Sequence, residues 1–164
     1  MDKKPASFDE FLEKIQSLKQ KGGVDLSTGE DLSIAVMNLI SLEEHFFFTG
    51  AKTKNPEYFD ASLEIREMRK DLLAKLMPNH EGETWCISKH LLSAVMRLIE
   101  VGNKLLSEKK KDEARKMFEK AYQVYSIFWA LKLKLVSGNA IQSSAKTSSN
   151  LEDLVNKLAD CCDE

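Results

Sequence analysis

The residues of this chain that could do chemistry are charged and polar side chains set inside strongly apolar stretches. A carboxylate held in a low-dielectric interior has a raised pKa and can act as an acid or a base. We therefore consider a polar pocket, formed where three amphipathic segments meet, that would bind a small anionic ligand or a metal. Its candidate ligand-binding residues are Glu43, His45, Glu64, Arg69, Arg97 and Glu100.

The spacing of Cys86 and His90 suggests a metal site. Residues four apart lie on the same face of a helix, so this thiol and this imidazole could bind one metal ion. A tetrahedral zinc site would need two further ligands from other helices, and the sequence does not identify them. Cys86 and His90 are therefore the candidate metal ligands.

A structural role explains the same charges more simply. A buried charge needs a partner, because an unpaired charge in an apolar interior is strongly destabilising. In that case Arg69 and Arg97 supply the positive charges. Their partners would be Glu43 and Glu64, and His90 would be hydrogen-bonded in or near the core. We favour this interpretation over a ligand pocket or a metal site.

The sequence lacks the common catalytic motifs. A di-iron helical bundle needs Glu-x-x-His, and no glutamate lies three residues before any histidine. The zinc-protease helix, the phosphate-binding loop, the nucleophile elbow, the dinucleotide glycine pattern and Cys-x-x-Cys are also absent. We therefore assign no catalytic residue and no cofactor, and we expect the protein not to be an enzyme.

Composition limits the classes of partner. The chain has 164 residues and a net charge of −2, which fits one domain and argues against nucleic-acid or membrane-surface binding through bulk charge. No apolar run approaches the ~20 residues that span a bilayer, and the polar N-terminus shows no signal peptide. The cysteines, Cys86, Cys161 and Cys162, are odd in number, which predicts a reducing compartment, the cytoplasm.

Apolar residues recur every three or four positions along most of the chain, a rhythm typical of amphipathic α-helices. Gly50 is a plausible helix stop, Asn55-Pro56 is a strong helix start, and Pro78 ends the next segment. The predicted long helices are at about 28–50, 56–77, 83–108 and 112–137. Because the connections between them are short, we expect an all-α fold with an antiparallel four-helix core.

Shorter segments flank this core. A capping box at Ser7 followed by helical apolar spacing predicts a short N-terminal helix. Residues 138–149 are rich in Ser, Gly, Ala and Thr, which suggests a flexible linker. Residues 150–162 predict a C-terminal amphipathic helix with apolar residues on one stripe. Residues 1–137 would then form a single helical-bundle domain, to which the last helix is tethered.

Aromatic residues crowd two of the predicted helices. The phenylalanines at 46–48 span about 200° of a helix at about 100° per residue, so they cannot all face one core. The run 127–131 likewise surrounds the fourth long helix with apolar side chains. An exposed aromatic edge or a tethered amphipathic helix can bind a partner. The predicted interaction surface comprises Phe47, Phe48, Trp129, Leu154 and Leu158.

These patterns favour a non-enzymatic helical module that binds another protein or forms a homo-oligomer. The basis is the excess of apolar surface on the third and fourth long helices, together with the missing catalytic motifs. We expect no nucleic-acid partner and no membrane partner. The alternative function is a bundle that binds a small ligand or a metal in a polar pocket between the first three long helices.

One segment, residues 98–121, resembles a single tetratricopeptide helical hairpin. The matching positions are Leu98, Val101, Gly102 and Leu105 on one helix and Ala114, Phe118 and Ala121 on the next. Small residues let the two helices approach closely, and the aromatic residue fills the gap between them. Leu98 replaces the usual aromatic residue, Ser126 replaces the closing proline, and no second repeat follows. The resemblance implies a partner-binding helical hairpin and not a repeat array.

Overall fold

The computed structural model describes residues 27–80 and 83–135, which form α-helices joined by short turns. The helices are α1 (Ser27–Thr53), α2 (Glu57–Leu76), α3 (Thr84–Ser107) and α4 (Lys111–Lys132). No strand occurs within the described ranges, so the all-α prediction is confirmed. Of these four helices, none combines the length and the apolar character needed to cross a bilayer.

A spacing of alternately three and four residues runs along the inner face of every helix. Residues at this spacing form a seam down one side of a helix, and seams from neighbouring helices interlock around a shared core. In α3, for example, Ser88, Leu92 and Val95 belong to this seam and are all buried. The core cluster draws on all four helical segments and comprises Val36, Met37, Ile40, Leu73, Leu76, Met77, Leu92, Val95, Ala121, Phe128 and Trp129.

The helices pair as two antiparallel hairpins. α1 packs along α2 and α3 packs along α4, while the α1–α3 contact joins the hairpins. The start of α1 lies beside the end of α4, because a Cβ atom on Gly29 would lie 3.1 Å from the Trp129 ring. Nearby, the Ser33 and Tyr125 hydroxyls share a 2.7 Å hydrogen bond between the same two helices. We call this the closed end of the bundle, and the opposite end the open end.

The turn of the first hairpin differs from the prediction. The sequence predicts a helix stop at Gly50, but α1 continues to Thr53. Gly50 is buried under the Phe59 ring, and a Cβ atom there would lie 3.0 Å from that ring. This glycine therefore permits the close approach of α1 and α2 and does not end a helix. The start of α2 agrees with the prediction, since the side-chain oxygen of Asn55 accepts the Glu57 N–H at 3.0 Å.

α4 stops at Lys132, several residues before the predicted end. The Lys134 N–H donates to the Leu131 carbonyl at 3.0 Å. The Leu135 N–H donates to the Ala130 carbonyl at 2.9 Å. These two bonds form a Schellman motif, in which Lys134 takes the left-handed conformation with φ 56°. Glycine usually occupies that position, so a lysine there gives the sequence no visible stop signal.

Several predictions fall outside the described residues. They are the N-terminal helix, the linker at 138–149, and the C-terminal helix at 150–162 with its candidate interface residues Leu154 and Leu158. The candidate residues that remain all lie on α1 to α4.

Candidate functional site

The most deeply buried charges form one ion pair between α1 and α2. The side chain of Arg69 is 5% exposed and that of Glu43 is 18% exposed. Arg69 donates from Nε to Glu43 Oε1 at 2.7 Å and from Nη2 to Oε2 at 3.2 Å. This two-bond geometry satisfies the guanidinium and the carboxylate together. Glu43 therefore pairs with Arg69, as the structural interpretation of these charges predicts.

Arg97 reaches from α3 to α1. Its Nη2 donates to Ser41 Oγ at 2.9 Å, and its Nε lies 3.7 Å from Glu44 Oε2. Both charged side chains are largely exposed, so solvent screens this pair and its stabilising contribution is small. The acidic partner of Arg97 is thus Glu44 and not Glu64, which is exposed on α2.

The predicted polar pocket is only partly assembled. Arg69 and Arg97 approach α1 from different helices, and each already has a carboxylate partner. Of the other candidates, His45 and Glu64 are exposed and Glu100 is half-buried. An open groove does lie between α1 and α2, but none of the predicted ligand-binding residues lines it. The groove is lined by Ala35, Asn38, Leu39, Met68, Asp71, Leu72 and Lys75.

Both candidate metal ligands are accessible on α3. Cys86 is exposed and has no disulfide partner within residues 27–80 and 83–135, and His90 is exposed one turn further along the helix. Over residues 27–80 and 83–135, no group of three or more His, Cys, Asp or Glu side chains is placed to hold a metal ion. The described part of the chain therefore brings no third ligand to Cys86 and His90.

A cluster of exposed aromatic rings lies at the open end, beside the turn between α1 and α2. Phe47 and Phe48 are 55% and 57% exposed, and Phe59 is 41% exposed. The Phe47 ring centroid lies 5.3 Å from that of Phe48 and 6.4 Å from that of Phe59, edge to face in both cases. Leu63, one turn after Phe59, is 60% exposed. We call Phe47, Phe48, Phe59 and Leu63 the distal patch.

The distal patch lies beside the inward face of α2. The buried residues of this helix are Arg69, Leu73 and Leu76, and the half-buried Ser62 and Ile65 continue that face toward the open end. Phe59 and Leu63 lie on a neighbouring exposed stripe. On α1, Ile40 is buried and Phe47, seven residues later on the same side of the helix, is exposed. The rings of the patch therefore stand at the edge of the α1–α2 contact.

Trp129 lies in the core and not on the predicted interaction surface. Its ring centroid is 5.7 Å from that of Phe128, and both side chains are buried. The Nζ atom of Lys132 lies 4.8 Å from the Trp129 ring centroid, a cation–π contact. Burial lowers the pKa of Lys132, because a charged ammonium is poorly solvated there. Among the described interface candidates, Phe47 and Phe48 are exposed and Trp129 is not.

The sequence reasoning missed Phe59 and Leu63. Both lie on a stripe that continues with the basic residues Arg66 and Lys70, so its apolar periodicity is interrupted. The signal that could have revealed them is that Phe59 and Leu63 are apolar but lie off the stripe formed by Ile65, Leu72 and Leu76, so one core face cannot bury both sets.

The second hairpin is closely packed at the positions that resemble a tetratricopeptide hairpin. A Cβ atom on Gly102 would lie 2.4 Å from a carbon of the Phe118 ring. α3 and α4 are therefore so close at this point that a side chain on Gly102 would force the Phe118 ring or the helices to shift. Ala114 and Ala121, one turn to either side of Phe118, are buried. Small residues around one aromatic ring thus produce the helical hairpin that the resemblance implies.

Comparison of the chain with protein-family models, with curated proteins and with solved structures finds no match.

Proposed function

We propose that this protein is a non-enzymatic helical module that binds another protein through the distal patch. The supporting observation is that three contacting aromatic rings, Phe47, Phe48 and Phe59, stand exposed on helices. Covering such rings gains about 25 cal/mol for each Å² of apolar area removed from water. Aromatic anchors of this kind carry much of the binding free energy in protein interfaces.

The rings of the distal patch contact one another and the backbone of α1. The Phe59 ring rests over Gly50, and Phe47 packs edge to face against its two aromatic neighbours. Both α1 and α2 are helical along the patch, so partner binding there requires no refolding of either helix.

The remaining features are compatible with this role. Kinship of the α3–α4 hairpin with tetratricopeptide hairpins would make that hairpin a scaffold for partner binding. If the partner is a second copy of the chain, the protein is a homodimer. The odd number of cysteines in the sequence favours a reducing compartment, so we also place the interaction in the cytoplasm.

Site-specific photo-crosslinking in cells tests the proposal. A photoreactive phenylalanine analogue in place of Phe47 should capture one reproducible protein. The matched control replaces Ile34, which is 48% exposed on the same helix but lies outside the patch, and should not capture that protein.

The captured protein is then purified and its affinity measured directly. Phe47→Ser should weaken binding by about tenfold or more, or about 1.4 kcal/mol, as expected for an aromatic anchor. Ile34→Ser should bind like the parent chain. Equal capture at positions 34 and 47, or unchanged affinity with Phe47→Ser, would contradict the proposal.

A further inference from the structure

The side of α4 that faces away from the core changes character along its length. Ala130 lies about 180° around the helix from the core residue Ala121, at about 100° per residue. We call the positions around Ala130 the outer side of α4. In the first half of this side, Glu119 is exposed. In the second half, Ser126 and Ala130 are only 1% and 0% exposed. A packing partner must therefore cover the second half and leave the first half open to solvent.

The other described helices do not account for this cover. The close contacts of α4 with α3 and α1 are made by Phe118, Tyr125 and Trp129. These three residues lie within about 80° of Ala121, on the core side of the helix. Ala130 does not belong to the core cluster, and yet it is completely buried within a single chain. Packing of α4 on α1 and α3 thus leaves the burial of the outer side unexplained.

The shape of the covered half indicates what kind of element packs there. Ser126 and Ala130 are one turn apart and have the smallest side chains on the outer side, so they form a shallow recess along the helix. Gln123 and Ile127 are half-buried and border this recess. Small side chains at the line of contact let a second helix approach closely. The recess therefore suits a helix that carries large apolar side chains.

The chain contains such a segment immediately before α1. Its apolar residues recur at spacings of three and four and are Phe8, Phe11, Leu12, Ile15 and Leu18. As a helix, the stretch from Phe8 to Leu18 would be about 15 Å long. The covered half of α4, from Gln123 to Leu131, is about 12 Å long. The apolar stripe of this segment thus matches the covered half in length.

The segment is attached at the right place. α1 begins at the closed end, where a Cβ atom on Gly29 would lie 3.1 Å from the Trp129 ring near the end of α4. The five connecting residues 22–26 reach about 17 Å when extended, whereas packed helices lie about 8–10 Å apart. Gly22 and Gly23 in this connection permit a sharp reversal of the chain.

The apolar segment after α4 matches the recess less well. Its stripe consists of four aliphatic residues and contains no aromatic ring: Leu151, Leu154, Val155 and Leu158. It is joined to α4 through residues 136–150, a connection three times as long as residues 22–26. Closing a longer connection costs more conformational entropy. The segment before α1 is therefore the favoured occupant.

We propose that residues 7–21 form a fifth helix that packs its apolar stripe on the second half of the outer side of α4. This contact makes the outer side an internal interface of the chain, which is closed to other proteins. The inference does not depend on the proposed function, because the outer side of α4 and the distal patch share no residue.

Crosslinking within the purified full-length chain tests this inference. A photoreactive phenylalanine analogue replaces Ile127, which borders the recess, in an equal mixture of light and heavy isotope-labelled chains. Mass spectrometry should identify a product that joins position 127 to residues 7–21 and carries one isotope label throughout. The matched control replaces Lys116, which is exposed on the outer side three turns earlier, and should give no such product.

Substitutions in the segment then test the apolar stripe. Phe11→Asp with Ile15→Asp should lower the crosslink yield from position 127 by about tenfold or more, because two carboxylates would have to be buried. Ser17→Asp with Gln20→Asp places the same charges on the opposite side of the segment and should leave the yield within about twofold. Circular dichroism establishes that both variants keep α1 to α4. If the first variant does not fold, the crosslink in the parent chain decides alone.

The crosslinked products separate the possible occupants. A product between position 127 and residues 136–164 would assign the outer side to the other end of the chain and overturn the inference. A product with mixed isotope labels would show that a second molecule covers the recess, with the same consequence. Equal yields from positions 116 and 127, or no product from position 127, would also refute the fifth helix.

Discussion

Replacement of Gly102 by alanine is the sharpest test of how the second hairpin packs. The added Cβ atom would lie 2.4 Å from one carbon of the Phe118 ring and 2.8 Å from two others. Carbon atoms pack best at about 3.5–4.0 Å, so the ring must move or the helices must separate by about 1 Å. Phe118 is half-buried between Ala114 and Ala121, which restricts where it can go.

Two opposing effects determine the size of the change. Alanine in place of glycine inside a helix gains about 1 kcal/mol from backbone propensity. An extra methyl group forced into a packed contact costs about 1–3 kcal/mol, and so deep an overlap puts the cost at the upper limit. The free energy of unfolding should therefore fall by about 2 kcal/mol. For a chain of this length, that corresponds to a melting temperature lower by about 4–8 °C.

Urea and thermal unfolding followed by circular dichroism measure this difference. Gly50→Ala is the matched control, because its Cβ atom would lie 3.0 Å from the Phe59 ring, which is partly exposed and can turn toward solvent. The propensity gain is the same and the steric cost is smaller, so Gly50→Ala should stay within about 0.5 kcal/mol of the parent chain or exceed it. Phe118→Leu should cost about 1 kcal/mol less in the Gly102→Ala chain than in the parent.

A Gly102→Ala variant that melts at or above the temperature of the parent would refute the close approach of α3 and α4. The same conclusion would follow if Phe118→Leu had equal cost in both backgrounds, because the alanine and the ring would then not be in contact.

The buried Ser88 Oγ has no hydrogen-bond partner within the described ranges, so Ser88→Ala should raise the free energy of unfolding by about 1 kcal/mol in urea denaturation. Ser33→Ala removes a hydrogen bond to α4 and should lower the free energy of unfolding by about 1 kcal/mol. If both substitutions changed the free energy of unfolding in the same direction, this reasoning would be refuted. Glu43→Gln leaves the buried charge of Arg69 without an anionic partner and should cost about 3 kcal/mol, most of which Glu43→Leu with Arg69→Met should recover. Because burial lowers the pKa of Lys132, the unfolded chain binds more protons than the folded chain between that lowered pKa and the ordinary value of about 10.4. Stability should therefore rise with pH across that window, and Lys132→Met should flatten the rise in pH-dependent unfolding measurements; an unchanged slope would show that Lys132 does not cause it.

Part of the candidate site could be predicted from sequence because it depends on single helices. The run of phenylalanines at 46–48 cannot be buried all at once, and the structure leaves Phe47 and Phe48 exposed. The partners of the two arginines required more information. Arg69 pairs with Glu43 as predicted, but Arg97 pairs with Glu44, since the choice between neighbouring carboxylates depends on which face of α1 meets α3.

Trp129 and Gly50 show where such reasoning fails. The apolar residues around the end of α4 suggest an exposed edge, yet Trp129 is buried against Phe128 and beside the start of α1. Gly50 looks like a helix stop, yet it is the place where Phe59 crosses α1. In both cases a contact between distant parts of the chain outweighs the local signal.

The sequence alone determined the helical class, the four long helices and most of their limits, because periodicity and capping act within a few residues of one another. Only the tertiary structure decided how far the two hairpins cover each other. On α2, Leu73 and Leu76 are buried in the core, whereas the equally apolar Phe59 and Leu63 are exposed in the distal patch. Which apolar residues of α2 are buried depends on how the second hairpin packs against α1 and α2. That packing is the sum of many long-range contacts, so no single segment of the sequence encodes it.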